Sequence, residues 1–335
     1  MEVPMRSAAF LLLVSITGAP IVGHAGGSNY GVTPGAKKEI AGMVLEWPVP
    51  TPNFARDPAP GPDGNIYIAV MHGNKIARFD TKGQTFKEWD LPTGARPHGL
   101  LVDEKGIVWY TGNGNGTIGE LNPATGEIKQ HKTPSGGGAP HTIVLDQGGA
   151  LWFTGQSGGY LGRLDRATGK ITEYRMSGGP YGLAIDKQGQ VWVCRMNADR
   201  LGKLDPRTGQ QTELYMGQQS MPRRIATAPD GTLWVTLYGN GKLAHVDPAA
   251  NKVVKEYEMP LGKAGGPYAV TIDAQGRVWA NEIQSDTVAV LEPKSDRFRV
   301  IKLPSKNVGI RKSIVDADGR FWYMGSHNGR LGVIE

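Results

Sequence analysis

Cysteine is all but missing from this chain of 335 residues, Cys194 being the single one, so no disulfide can form within it and no Cys-x-x-Cys-His haem attachment exists. Cys194 follows Trp192 by two residues in an apolar strand, where a small buried side chain fits better than a reactive thiol. Basic runs are missing as well. Lys and Arg (37) outnumber Asp and Glu (31) for a formal net charge of +6, yet they are spread along the chain, which argues against a nucleic-acid groove and leaves anionic ligands or envelope surfaces as favoured partners. There is no Walker A loop and no metalloprotease helix. The Gly-x-Gly spacing of Gly112 to Gly116 joins two strands without the helix that a dinucleotide site requires. Long apolar runs occur only at the start: Arg6 precedes the apolar stretch 8–22, and Gly23-His24-Ala25 is a small-x-small cleavage site. We read 1–25 as a secretory signal peptide, because Gly18 and Pro20 interrupt any helix there. Nothing after it is long enough to span a bilayer. The expectation is a periplasmic or secreted protein whose residues 26–39 form a flexible, glycine-rich lead.

Glycine (48) and proline (23), by contrast, are abundant, as a fold with a turn every few residues requires. They belong to a repeat: a glycine-rich entry, an apolar strand, Asp-x-x-Gly, a β-branched residue and an aromatic, typified by 179–193. The aromatic falls at Tyr67, Trp109, Trp152, Trp192, Trp234, Trp279 and Trp322, and the turn glycine at Gly64, Gly106, Gly149, Gly189, Gly231, Gly276 and Gly319. Both series step by 42, 43, 40, 42, 45 and 43 residues. Two markers sharing one irregular spacing of this size predict an all-β fold, a seven-bladed β-propeller with four-stranded blades, over 40–335. The recurring tryptophans read as packing between blades rather than as ligand contacts.

The ends of the chain complete each other. The last repeat stops at Glu335, one strand short, while the piece 42–47 resembles an outermost strand with no blade in front of it. We therefore expect the N-terminal strand to close the last blade and remove its free edge. A closed ring has no structural need of partners, so a monomer is expected.

Counting back five residues from each turn gives Arg56, His98, His141, Tyr181, Arg223, Tyr268 and Arg311. If inner strands line the channel, these seven side chains surround one opening with three Arg, two His, two Tyr and no carboxylate. Such a mouth is a cationic hydrogen-bonding socket for carboxylate or phosphate. Fourteen residues further on in each repeat, Glu282 is the only acid, either functional or paired with Arg223 or Arg311.

Pro97-His98-Gly99, Pro140-His141, Pro180-Tyr181-Gly182, the Asp-x-x-Gly-x-hydrophobic-Trp turns and the strands Ile118-Gly119-Glu120-Leu121 and 161–165 resemble the streptogramin B lyase (virginiamycin B lyase) family of propellers. That resemblance implies a carbon-oxygen lyase that opens a cyclic depsipeptide ester by elimination. It also implies a His base at the Pro-His-Gly position and Mg2+ held by glutamates two residues before it and at the end of the following Trp strand. Carried onto this chain, His98 and His141 would be base and acid, Tyr181 and Arg223 oxyanion partners, and Glu282 a metal ligand. The glutamate and the histidines stand in different repeats: His98 and His141 are matched with Gly112 and Gly155, and Glu282 with Tyr268.

Two other functions stay open beside the lyase. One is a non-catalytic binder of an anionic small molecule or envelope partner through Arg56, Tyr181, Arg223, Tyr268 and Arg311. The other, a metal-dependent lactonase, needs convergent carboxylates and asparagines, for which only Asp57, Asn281 and Glu282 are at hand.

Overall fold

A computed structural model describes residues 42–335. The signal peptide and flexible lead expected over 1–25 and 26–39 lie outside the described residues. Seven antiparallel sheets of four strands each follow one another along the chain. Their inner strands, Ala55–Pro60, Pro97–Val102, Pro140–Leu145, Pro180–Ile185, Pro222–Thr227, Pro267–Ile272 and Ile310–Val315, begin blades one to seven. Each inner strand packs on those of both neighbouring blades, the seventh on the first, so the ring is closed. Among the described residues no helix is long and apolar enough to cross a membrane.

The Asp-x-x-Gly-x-x-Trp repeat works as one local device. Asp103 Oδ1 accepts the turn N–H groups of Lys105 and Ile107, while its Oδ2 accepts the Trp109 indole N–H at 2.9 Å. Gly106 completes the turn at φ +79°, a conformation that L side chains resist. The same indole-to-Asp bond joins Trp152 to Asp146, Trp192 to Asp186, Trp279 to Asp273 and Trp322 to Asp316. Blade five has Ala228 in place of the Asp, and there Trp234 stacks on His245 at 4.4 Å instead. All six of these tryptophans are buried, as packing between blades requires.

Val44–Pro48 pairs antiparallel with Arg330–Ile334 and supplies the outer strand of the last blade. Trp47 then lies against Phe79 of blade one and Trp322 of blade seven, and the Tyr323 hydroxyl donates to Glu46 at 2.6 Å. The closure expected from the two chain ends is therefore what the ring uses.

Every blade also carries a β-bulge at the start of its inner strand. In blade two the register passes from Pro97↔Gly112 to Leu100↔Tyr110, so the inner strand holds one residue more than its partner, and the other six blades slip at the same place. The amide freed by the bulge is caught by a side chain of the second strand. Thr154 Oγ1 accepts the Thr142 N–H and donates to the Tyr181 carbonyl of the next blade at 2.9 Å. Thr111, Thr236 and Asn281 bridge their blades in the same way. Cys194 occupies this position in blade four, fully buried, and burial pushes its thiol up, so the structural role expected from the sequence holds.

Candidate functional site

The bulges turn the residues predicted for the mouth toward one another, and all seven are linked in a circuit. Arg56 Nη2 lies 2.6 Å from His98 Nε2, the His98 and His141 rings are 3.7 Å apart, and His141 lies 3.9 Å from Tyr181. The Tyr181 and Tyr268 hydroxyls share a short hydrogen bond, and Arg311 Nη1 donates to Tyr268 at 3.2 Å. Arg223 sits over the rings of Tyr238, Tyr268 and Tyr181 at 4.3, 4.6 and 5.0 Å. Phe54 lies between the guanidiniums of Arg56 and Arg311, 5.1 and 5.2 Å away, and completes the circle. Five of the seven ring members are buried, with Arg223 and Arg311 partly exposed.

A second tier lies one residue further along the inner strands. Arg224, fully buried, donates to Thr142 Oγ1 at 2.9 Å and stands 3.8 Å from Asp57, while Lys312 Nζ donates to the Leu100 carbonyl at 3.0 Å. The axis thus gathers Arg56, Arg223, Arg224, Arg311 and Lys312 around one acid, Asp57. Only Asp57 was singled out from the sequence. The tier could have been found by taking the residue after each ring member, since one bulge presents two successive side chains to the channel; Arg224 reaches the Tyr181 and Tyr268 rings just as Arg223 does.

This concentration of charge moves the titratable groups. Burial, reinforced by Arg56 and His141, holds His98 well below the ordinary 6.5, and burial with Arg224 and Arg56 does the same to His141. Burial lowers Lys312 to about 8. Burial and the neighbouring Tyr268 raise Tyr181. Burial also acts to raise Tyr268, but Arg56, Arg223, Arg224 and Arg311 together outweigh it and bring that phenol down to about 7. Because Arg can only donate, His98 Nε2 accepts from Arg56 and its proton lies on Nδ1, where no acceptor is found. The Nε–H groups of Arg56, Arg223 and Arg311 also lack acceptors in buried surroundings.

Glu282 is not part of this circuit. Its Oε1 accepts the Leu261 backbone N–H at 2.8 Å, burial raises its carboxyl, and it forms no ion pair among the described residues, so the pairing with Arg223 or Arg311 considered from the sequence is absent. The described residues contain no group of three or more His, Cys, Asp and Glu able to hold a metal ion. A lone raised carboxyl committed to a loop amide, beside a mouth of guanidiniums, does not fit a carboxylate-held magnesium ion. Asn281, another lactonase candidate, is spent on the bridge to Ile310.

With this geometry established, the likeness to known proteins can be placed. No curated protein matches the chain. Among solved structures, a virginiamycin B lyase from Staphylococcus aureus superposes with a TM-score of 0.80 at 21% identity, covering 88% of this chain and 99% of that one. A streptogramin B lyase gives 0.80 at 23%, covering 88% and 97%. The extracellular domain of a proposed hybrid two component system from B. thetaiotaomicron gives 0.69 at 15%, covering 88% of this chain and 42% of that one. At such identities the likeness is one of fold. The profile of the Virginiamycin B lyase family matches residues 35–178 and 124–335, and the chain belongs to that family.

Proposed function

We propose that this propeller is an exported binding protein that holds an anionic small molecule at its cationic mouth. The observation that carries this reading is the set of buried donors without acceptors, Nε of Arg56, Arg223 and Arg311 and Nδ1 of His98, in a channel where five cations face one carboxylate. Burying like charges together is costly unless a counter-charge enters, and carboxylate or phosphate oxygens satisfy both the charge and the hydrogen bonds. Titration calorimetry of the protein beginning near Gly26 tests it. Small carboxylates or phosphates should bind more weakly as salt rises, and Arg223→Gln or Arg311→Gln should each weaken binding by about tenfold or more. Binding that ignores salt and both substitutions would refute it. Export is checked on the full 335-residue chain, whose N-terminus should lie near Gly26 when it is recovered from the cells that make it.

A second reading, the family's elimination chemistry, is favoured by the neutral histidine pair. A base must be unprotonated near pH 7, and His98 and His141 both are. His98 Nε2 already accepts from Arg56, so His141 is the better base, with Tyr181 and Arg223 beside it for a developing oxyanion. The reaction would take a proton α to a carbonyl and expel the ester carboxylate, with no step through magnesium. Incubation with a type B streptogramin should then give a product of unchanged mass with a linearised fragmentation pattern, lost on His141→Ala. An intact ring after incubation sinks this reading and leaves the first standing.

A further inference from the structure

Guanidiniums meet the histidines around the mouth. Arg can only donate, so His98 Nε2 accepts from Arg56 at 2.6 Å, and Nε2 of the exposed His327 accepts from Arg311 Nη2 at 3.1 Å. His141 is reached through an intermediary. Its Nδ1 lies 3.0 Å from Oγ1 of Thr142, the next residue in the bulge, and Arg224 Nη1 donates to the same oxygen at 2.9 Å. Arg224 reaches there from blade five to blade three. Blade four leaves the path open, because its residue in this tier is Gly182, where a Cβ would meet the Arg223 carbonyl at 2.5 Å and Arg224 Cα at 2.9 Å.

Thr142 is wholly buried, and its hydroxyl has one hydrogen to place. Arg224 cannot accept that hydrogen, which leaves His141 Nδ1 as its acceptor. The opposite arrangement, Nδ1–H donating to Oγ1, would bury the threonine hydrogen without a partner. Nε2, by contrast, lies across the ring from Thr142 and is the nitrogen left for water or a ligand oxygen. We infer that Thr142, itself held by Arg224, is a positioning residue that fixes His141 with its hydrogen on Nε2 and so makes it a donor to the bound anion. The inference rests on the anion-binding reading above and adds His141 to its contacts. His98 and His141, with rings 3.7 Å apart, are then opposite tautomers. In this state the Nδ1 lone pair is turned to Thr142, so the elimination reading would first require the hydrogen to leave Nε2.

Long-range proton–nitrogen correlation spectra of the labelled protein at about pH 7.5, where the ring is neutral, read the tautomer directly. His141, assigned through the labelled backbone, should carry its hydrogen on Nε2 alone and keep it there in Thr142→Ser, while Thr142→Val should let the two nitrogens share it. A hydrogen on Nδ1 in the wild-type protein would overturn the inference whether or not either variant folds, and so would an unchanged tautomer in Thr142→Val. Calorimetry reads the consequence for binding. Of acetate and inorganic phosphate, the tighter wild-type binder should bind Thr142→Val about threefold or more weakly, the worth of one hydrogen bond, and Thr142→Ser as before. Equal affinity in a Thr142→Val protein whose tautomer has changed would overturn the donor role of His141. Failure of both anions to bind the wild-type protein would refute the anion-binding reading itself, a result on which the tautomer spectra do not depend.

Discussion

At the scale of single residues, the mouth stores charge that acid and base should reveal. His98 and His141 have folded pKa values below the ordinary 6.5, so in the window below 6.5 the unfolded chain binds protons that the folded one refuses. Their contribution to stability should therefore be full above that value and fall as pH drops through it, before the carboxylates titrate. Denaturant melts between pH 7 and 5 check this, and His141→Asn should flatten the slope. Tyr268 works in the same direction at higher pH. Its phenol, held at about 7 against an ordinary 10.0, contributes stability that is complete above the ordinary value and disappears as pH falls through about 7. Ultraviolet difference titration should show one tyrosinate forming near neutrality, lost in Tyr268→Phe. A bound carboxylate competes for the same guanidiniums, so ligand should move that titration upward.

At the scale of elements, the turn and the bulge divide the labour between scaffold and site. Replacing Asp146 by Ala leaves both the Ala150 amide and the Trp152 indole without their acceptor, and should cost about 1–3 kcal/mol by thermal or chemical melting while ligand binding at the mouth is unchanged. Thr236→Val should cost a similar ~1–3 kcal/mol, because it strips the acceptor from the Arg224 amide and the donor from the Tyr268 carbonyl. Most of this architecture was legible in the sequence, since Asp, Gly and Trp recur wherever the turn needs a side-chain acceptor, a positive φ and a packed indole. The ring positions were legible for the same reason, being fixed by counting from those turns. The bulge was not. It leaves no residue type of its own, and without it a strict two-residue alternation places Arg224 and Lys312 on the face opposite their neighbours. The partner of Glu282 was not legible for a related reason: its carboxylate accepts from the Leu261 loop, which no repeat spacing encodes.

At the scale of the whole molecule, the ring depends on one short strand contributed from the far end of the sequence. Removing residues up to 48 would expose the edge of Arg330–Ile334 and delete the Trp47 contacts that cover Phe79 and Trp322. The truncated chain should melt on the order of 10 °C or more lower and associate through its open edge, as read by calorimetry and light scattering. The pairing direction at this seam has a mechanical consequence. Val44 lies opposite Ile334 and Pro48 opposite Arg330, so the two outgoing ends of the chain leave the seam side by side. Tension applied between them loads the backbone bonds one at a time, in the manner of a zipper, rather than all at once in shear. The tightest-looking join in the circle is thus the one that a pull on the termini would open first, releasing the blades in sequence while each remained locally folded.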